Sequence, residues 1–125
     1  LEAERRRTLE TQEAIKLSPS LQEIDRICTS IPKPDDAKLI LMRKNIRSNS
    51  EFLEYGYLTD ETYEQVKQFY TAYYFSNNWT DVYERKGLKT NEIGSTKDRI
   101  KTTITYAKVH SGVNFTFTCI RLGEK

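Results

Sequence analysis

Residues 59–78 read TDETYEQVKQFYTAYYFSNN, and this stretch decides the fold. Tyr63, Val66, Phe69, Tyr70, Tyr73 and Tyr74 recur at helical intervals, so a helix here gathers an apolar, mostly aromatic face on one side. Thr59 offers a hydroxyl at the cap position, and Asp60 and Glu61 place negative charge against the positive end of the macrodipole. Asn77 and Asn78 end the helix, because asparagine tolerates left-handed backbone. On this reading Tyr63, Val66, Phe69, Tyr70 and Tyr73 pack into a core. Tyr74, Phe75 and Trp79 leave that face and are expected as exposed aromatic contacts.

A single amphipathic helix needs a sheet to cover. Ile100, Thr102, Ile104 and Tyr106 alternate with polar residues, as do Val113, Phe115, Phe117 and Cys119, with His110-Ser111-Gly112 as the tight turn between two strands. Leu39 to Met42 is an apolar run that suits a strand. Residues 51–58 set Leu53, Tyr55 and Tyr57 on one face, and the polar stretch from Asn45 to Ser50 joins the two as an antiparallel hairpin. Trp79 to Tyr83 reads as a short strand. Residues 84–99, with two glycines and many charges, read as a long exposed connection, and the basic cluster Lys86, Lys89, Lys97, Arg99 and Lys101 reads as solvated.

Towards the N-terminus, residues 1–17 carry dense charge with Arg6/Glu10 and Glu13/Lys16 spaced for helical ion pairs. Leu1, Leu9, Ile15 and Leu17 form no continuous stripe, so this segment is expected as a solvated helical stalk or linker. Ser18-Pro19 caps a second helix over 19–29, with Leu21, Ile24, Ile27 and Cys28 on its apolar face. The prolines of Ile31-Pro32-Lys33-Pro34 end it. The expected order is helix, helix, β, β, α, β, β, β. This is an α+β, two-layer fold: one main helix packs on a mostly antiparallel sheet, N-terminal helices precede it, and residues 18–125 form a single domain.

Composition narrows the function. A chain of 125 residues with 37% hydrophobic content has room for one core and no second one. A net charge of +2 provides no field for a polyanion, so no nucleic acid is expected as a partner; Phe115 and Phe117 are flanked by Asn114, Thr116 and Thr118, where an RNA-binding strand would place lysine or arginine. No run approaches the roughly 18 apolar residues of a membrane span. The chain opens on Leu1, which points to processing or truncation, and a membrane tie is expected only through an N-terminal anchor removed in that way.

Catalytic and metal chemistry find little footing. His110 is the single histidine and sits in a turn, without a nucleophile placed beside it by any motif. Asp35-Asp36 and Asp60-Glu61 lie in a proline-rich turn and a helix start, which already account for them. No zinc, calcium or phosphate-loop spacing occurs, so no catalytic residue, cofactor or metal is expected. Asn78-Trp79-Thr80 and Asn114-Phe115-Thr116 match the glycosylation sequon, a pattern frequent by chance. Cys28 and Cys119 lie 91 positions apart. Both a disulfide and a pair of buried thiols fit them: if the second helix docks on the sheet, the two apolar faces that carry them meet.

The order from IPKPDDAKLI through EYGYLTD and YEQVKQFYTAYYFSNNW to a closing hairpin resembles the small extracytoplasmic α+β domains of uncharacterised bacterial secreted proteins and lipoproteins. In those domains a helix of the form EEVKxFY…xxGW follows a strand and precedes a sheet. Here Asn77-Asn78-Trp79 replaces the usual Gly-Trp, and the connection before the last hairpin is longer. The resemblance implies a fold and an extracytoplasmic location (periplasmic, secreted or membrane-anchored), and no catalytic residue. The leading expectation is a non-enzymatic accessory or binding module with a protein or carbohydrate partner. The competing class is a small-ligand carrier or enzyme whose pocket is lined by Tyr, Lys or Arg. Such a site would take the form of a concave apolar pocket between helix and sheet.

Overall fold

Ser18 divides the helical N-terminal segment in two. In the computed structural model, which describes residues 2–47, 50–108 and 112–122, α1 runs over Glu2–Leu17 and α2 over Pro19–Ser30. The Ser18 side chain accepts from the Leu21 N–H while Pro19 opens α2, as the sequence predicts. Strand β1 (Lys38–Arg47) pairs antiparallel with β2 (Ser50–Leu58), and α3 (Tyr63–Ser76) follows. Four strands complete the chain: β3 (Thr80–Lys86), β4 (Thr90–Lys97), β5 (Ile100–Ala107) and β6 (Phe115–Arg121).

All six strands form one antiparallel sheet in the order β1-β2-β6-β5-β4-β3, so β6 pairs with β2 and closes the two halves. The register sets Leu53, Tyr55 and Tyr57 of β2 opposite Cys119, Phe117 and Phe115 of β6, and Ile104 of β5 opposite Phe117 and Ile93. Because side chains alternate along a strand, these residues share one face. That face meets Leu21, Ile24 and Cys28 of α2 and Val66, Tyr70 and Tyr74 of α3 in a single buried cluster. The other face carries Thr103 opposite Thr118 and Thr105 opposite Thr116, half-buried and polar. The α+β two-layer expectation holds.

Four expectations are corrected. The segment 84–99 is not a loop: it is the outer part of β3, a short turn at 87–89, and β4. β4 turns into β5 through Asp98 and Arg99, both at positive φ (51° and 70°), a two-residue hairpin geometry that asparagine or glycine usually marks. The charges of this hairpin suit its edge, since β3 ends the sheet and is mostly exposed.

Thr59 does not cap α3. Its hydroxyl donates to the Asp36 carboxylate, which also accepts from the Asp60 N–H at 2.7 Å. Together they hold the Asp36 carboxyl below the usual carboxylate range. The cap is Thr62, whose side chain accepts from the Gln65 N–H, while Gln65 accepts in return from the Thr62 N–H. This reciprocal capping box shifts the helix start by one turn.

Segment 1–17 is not a solvated stalk. β1 is the other edge of the sheet, and α1 lies along it: the Thr8 hydroxyl accepts from the Met42 N–H at 3.1 Å, and the buried Thr11 hydroxyl lies 3.3 Å from the Met42 carbonyl oxygen. Two threonines one turn apart thus satisfy the outward backbone groups of an edge strand. No apolar stripe announces this docking, because polar side chains help to make it.

Tyr74 and Trp79 are not exposed. Tyr74 is 0% and Trp79 7% exposed, whereas Phe75 is 69% exposed. At about 100° per residue Tyr74 lies only about 40° from the direction of Tyr70, closer than Tyr73, so Val66, Tyr70 and Tyr74 form the central row. Asn78, at φ 64°, then reverses the chain as its residue type predicts, and the Trp79 N–H donates to the Tyr74 carbonyl at 3.0 Å. The indole is folded back against the Tyr74 ring, with centroids 5.6 Å apart.

Candidate functional site

Where α1 leaves the β1 edge and α2 crosses β2, the two helices and the first hairpin enclose a groove of about 510 Å³. Its floor is Leu39 and Met42 of β1 with Tyr55 and Tyr57 of β2, residues that the register places on the helix-covered face. Leu9 and Ile15 of α1 form one apolar wall, and Asp25 and Thr29 of α2 stand opposite. Two further hollows, about 190 and 240 Å³, are smaller and lined mainly by polar groups such as Arg7, Glu10, Arg43 and Glu54.

Polar groups converge at one place in the large groove. The Tyr55 hydroxyl donates to Asp25 Oδ1 at 2.6 Å. Burial, then the bond to Asp25 and its charge, push the Tyr55 hydroxyl far above its ordinary 10. The Tyr57 hydroxyl is pushed up to about 12, again by burial first and the Asp25 charge second. Both phenols therefore keep their protons through the neutral range, and Tyr55 gives its proton to the bond with Asp25. Asp25 itself forms no ion pair with any Lys or Arg among the described residues. At the rim, Glu13 and Lys16 pair with each other at 3.5 Å and are largely exposed.

Lys33 borders this region from the opposite direction in sequence. Its ammonium donates to the carbonyls of Cys28 (3.2 Å) and Ile31 (2.6 Å) and lies 4.4 Å from the Phe117 ring centroid and 5.8 Å from that of Tyr57. It caps the C-terminal end of α2, which has no basic residue in its last turn. Burial pushes the amine down to about 8, although the carbonyls and ring faces favour its charged form.

Cys28 of α2 and Cys119 of β6 are joined as a disulfide, with Cα atoms 6.3 Å apart, so of the two sequence readings the bridge is the one found. Both residues are buried. Phe75 is the one member of the aromatic trio that faces solvent, on the outer side of α3, and Tyr74 and Trp79 belong to the core. Asn114 of the second sequon is buried, and its amide pairs with both the N–H and C=O of Thr59. His110 and Ser111 lie outside the described residues. Among the described residues no three His, Cys, Asp or Glu side chains cluster to hold a metal ion.

The sequence reading places Tyr55 and Tyr57 on one strand face and lists Leu9 and Ile15 as scattered apolar residues. It attaches no significance to Asp25. No motif links them, since the groove is assembled from four elements that touch only after folding. No helix among the described residues is long and apolar enough to cross a membrane. No protein-family model, curated protein or solved structure matches the chain.

Proposed function

We propose that the protein is a non-enzymatic binding module of an extracytoplasmic compartment, and that it holds a small amphipathic ligand in the groove between α1, α2 and the β1-β2 hairpin. The observation that carries this reading is the groove itself: an apolar, helix-and-sheet-walled space of about 510 Å³ with a few polar groups gathered at Asp25, Tyr55 and Tyr57. Ligand sites combine this size, roughly 300–1,000 Å³, with this mix of apolar lining and sparse polar groups. The Tyr55 hydroxyl spends its proton on Asp25, which fixes the carboxylate at the groove wall, an arrangement suited to recognising a ligand. The Cys28–Cys119 bridge supports the compartment, because disulfides persist where the surroundings are oxidising.

A thermal-shift screen of the whole protein against lipids, sugars, nucleotides and amphiphiles tests the binding reading, since a ligand that binds only the native state must raise its melting temperature. Stabilisation by amphiphiles, lost on filling the groove with L39W, is the expected result. No stabilisation by any class at saturating concentration overturns it. For the compartment, thiols are alkylated in intact source cells before lysis: a bridged pair is expected, and two alkylated cysteines overturn the assignment.

A further inference from the structure

The charge inside the groove selects among amphipathic ligands. Asp25 is half-buried beside an apolar floor, and among the described residues only Oδ1 is engaged, by the Tyr55 hydroxyl. Placing a carboxylate against apolar surface is unfavourable unless a cation or further donors face it. The cations nearby are committed elsewhere. Lys33 spends its donors on the Cys28 and Ile31 carbonyls, and Lys16 pairs with Glu13 at the solvent rim.

The tyrosines beside this carboxylate position it and do not neutralise it. Tyr55 meets it through the hydroxyl, and the Tyr57 ring is stacked on Phe115, with the Lys33 ammonium 5.8 Å from its centroid. A carboxylate held in this way and opening onto Leu9, Leu39 and Met42 is complementary to a positively charged head carried on an apolar body.

Resting on the reading of the groove as a ligand site, we propose that its ligand class is the cationic amphiphile: an organic ammonium whose charged head pairs with Asp25, and whose apolar chain lies along Leu39 and Met42 against α1.

Three probes with the same chain test the proposal by calorimetric titration of the whole protein: octyltrimethylammonium, octanol and octanoate. The ammonium is expected to bind about tenfold more tightly than the alcohol, and octanoate more weakly than either. Asp25→Asn keeps an acceptor for the Tyr55 hydroxyl, and it should erase the gap between ammonium and alcohol while leaving alcohol binding in place. Leu39→Trp, at the partly exposed end of the groove floor, should weaken all three probes. Equal binding of ammonium and alcohol, a preference for octanoate, or a preference that survives Asp25→Asn overturns the cationic class and leaves the groove as a site. Binding that Leu39→Trp does not weaken places the probes elsewhere and overturns the proposal. Failure of all three probes to bind overturns the ligand-site reading together with it. If Asp25→Asn does not fold, the salt dependence of binding to the unaltered protein replaces it: the gap between ammonium and alcohol should shrink as ionic strength rises, and a gap that salt leaves unchanged overturns the pairing with Asp25.

Discussion

The Tyr74 hydroxyl lies 2.6 Å from Thr102 Oγ1, and both side chains are fully buried where α3 crosses β5. Each oxygen is the other's partner in an otherwise apolar interface. Tyr74→Phe or Thr102→Val alone strands one buried hydroxyl and should lower stability by about 1–3 kcal/mol, whereas the double variant should recover much of that loss. Tyr70 offers the contrast one turn earlier. Its hydroxyl is buried with no hydrogen-bond partner among the described residues, so Tyr70→Phe is expected to be neutral or stabilising. Urea unfolding of the four variants reads all of this, and a destabilising Tyr70→Phe would mean that its hydroxyl has a partner.

The bridge between Cys28 and Cys119 closes a loop of 91 positions. In the chain-entropy model such a loop stabilises by on the order of 4 kcal/mol, acting mainly on the unfolded chain. Cys28→Ser with Cys119→Ser should therefore lower the urea midpoint strongly. α2, tied to β6 also by the Arg121–Glu23 ion pair, should lose amide protection before α3 does. Mass spectrometry of the non-reduced, alkylated protein should find no free thiol.

Lys33 has a folded value of about 8 against an ordinary 10.5, so between these values the unfolded chain holds the extra proton. Stability therefore rises with pH through this window. The buried tyrosines work in the opposite sense. Tyr55, Tyr57, Tyr70 and Tyr74 are all raised above 10, so from about pH 10 upward the unfolded chain loses protons that the folded protein keeps, and stability falls. Urea midpoints should climb from about pH 8 to about pH 10 and then decline. In Lys33→Met the climb should vanish while the decline remains; an unchanged climb would assign it to another group.

Thr8 and Thr11 hold the Met42 backbone at the β1 edge. Thr8→Val with Thr11→Val keeps side-chain shape and removes both oxygens. The Met42 amide is then expected to exchange faster, corresponding to about 1 kcal/mol or more of local stability, and α1 should become sensitive to proteolysis. Unchanged exchange at Met42 would show that α1 docks without these bonds.

Elements whose evidence is local are legible in the chain. Ser18-Pro19 announces α2, Asn78 announces the reversal after α3, and the alternation from Ile100 to Cys119 announces β5 and β6. β4 escapes because Asn91, Ser95 and Gly94 contribute to a buried strand without apolar alternation, and Gly94 is there so that the Tyr83 ring can pack directly over its α-carbon. Thr59 misleads for a related reason: its hydroxyl does accept a backbone N–H, that of Glu61, but in the turn before α3, where it also donates to the distant Asp36, and Thr62 with Gln65 makes the cap.

Most helix and strand periods, the α+β class and the capacity for a bridge are legible in the sequence, because each rests on spacing within a few turns or on two residue types facing one core. The tertiary structure alone decided that α1 seals the β1 edge, that Tyr74 is core and Phe75 is surface, that Cys28 meets Cys119, and that Asp25, Tyr55 and Tyr57 share a groove. These depend on which elements touch, and contacts between distant segments are set by how all the apolar faces are covered at once, a condition no local stretch of residues carries.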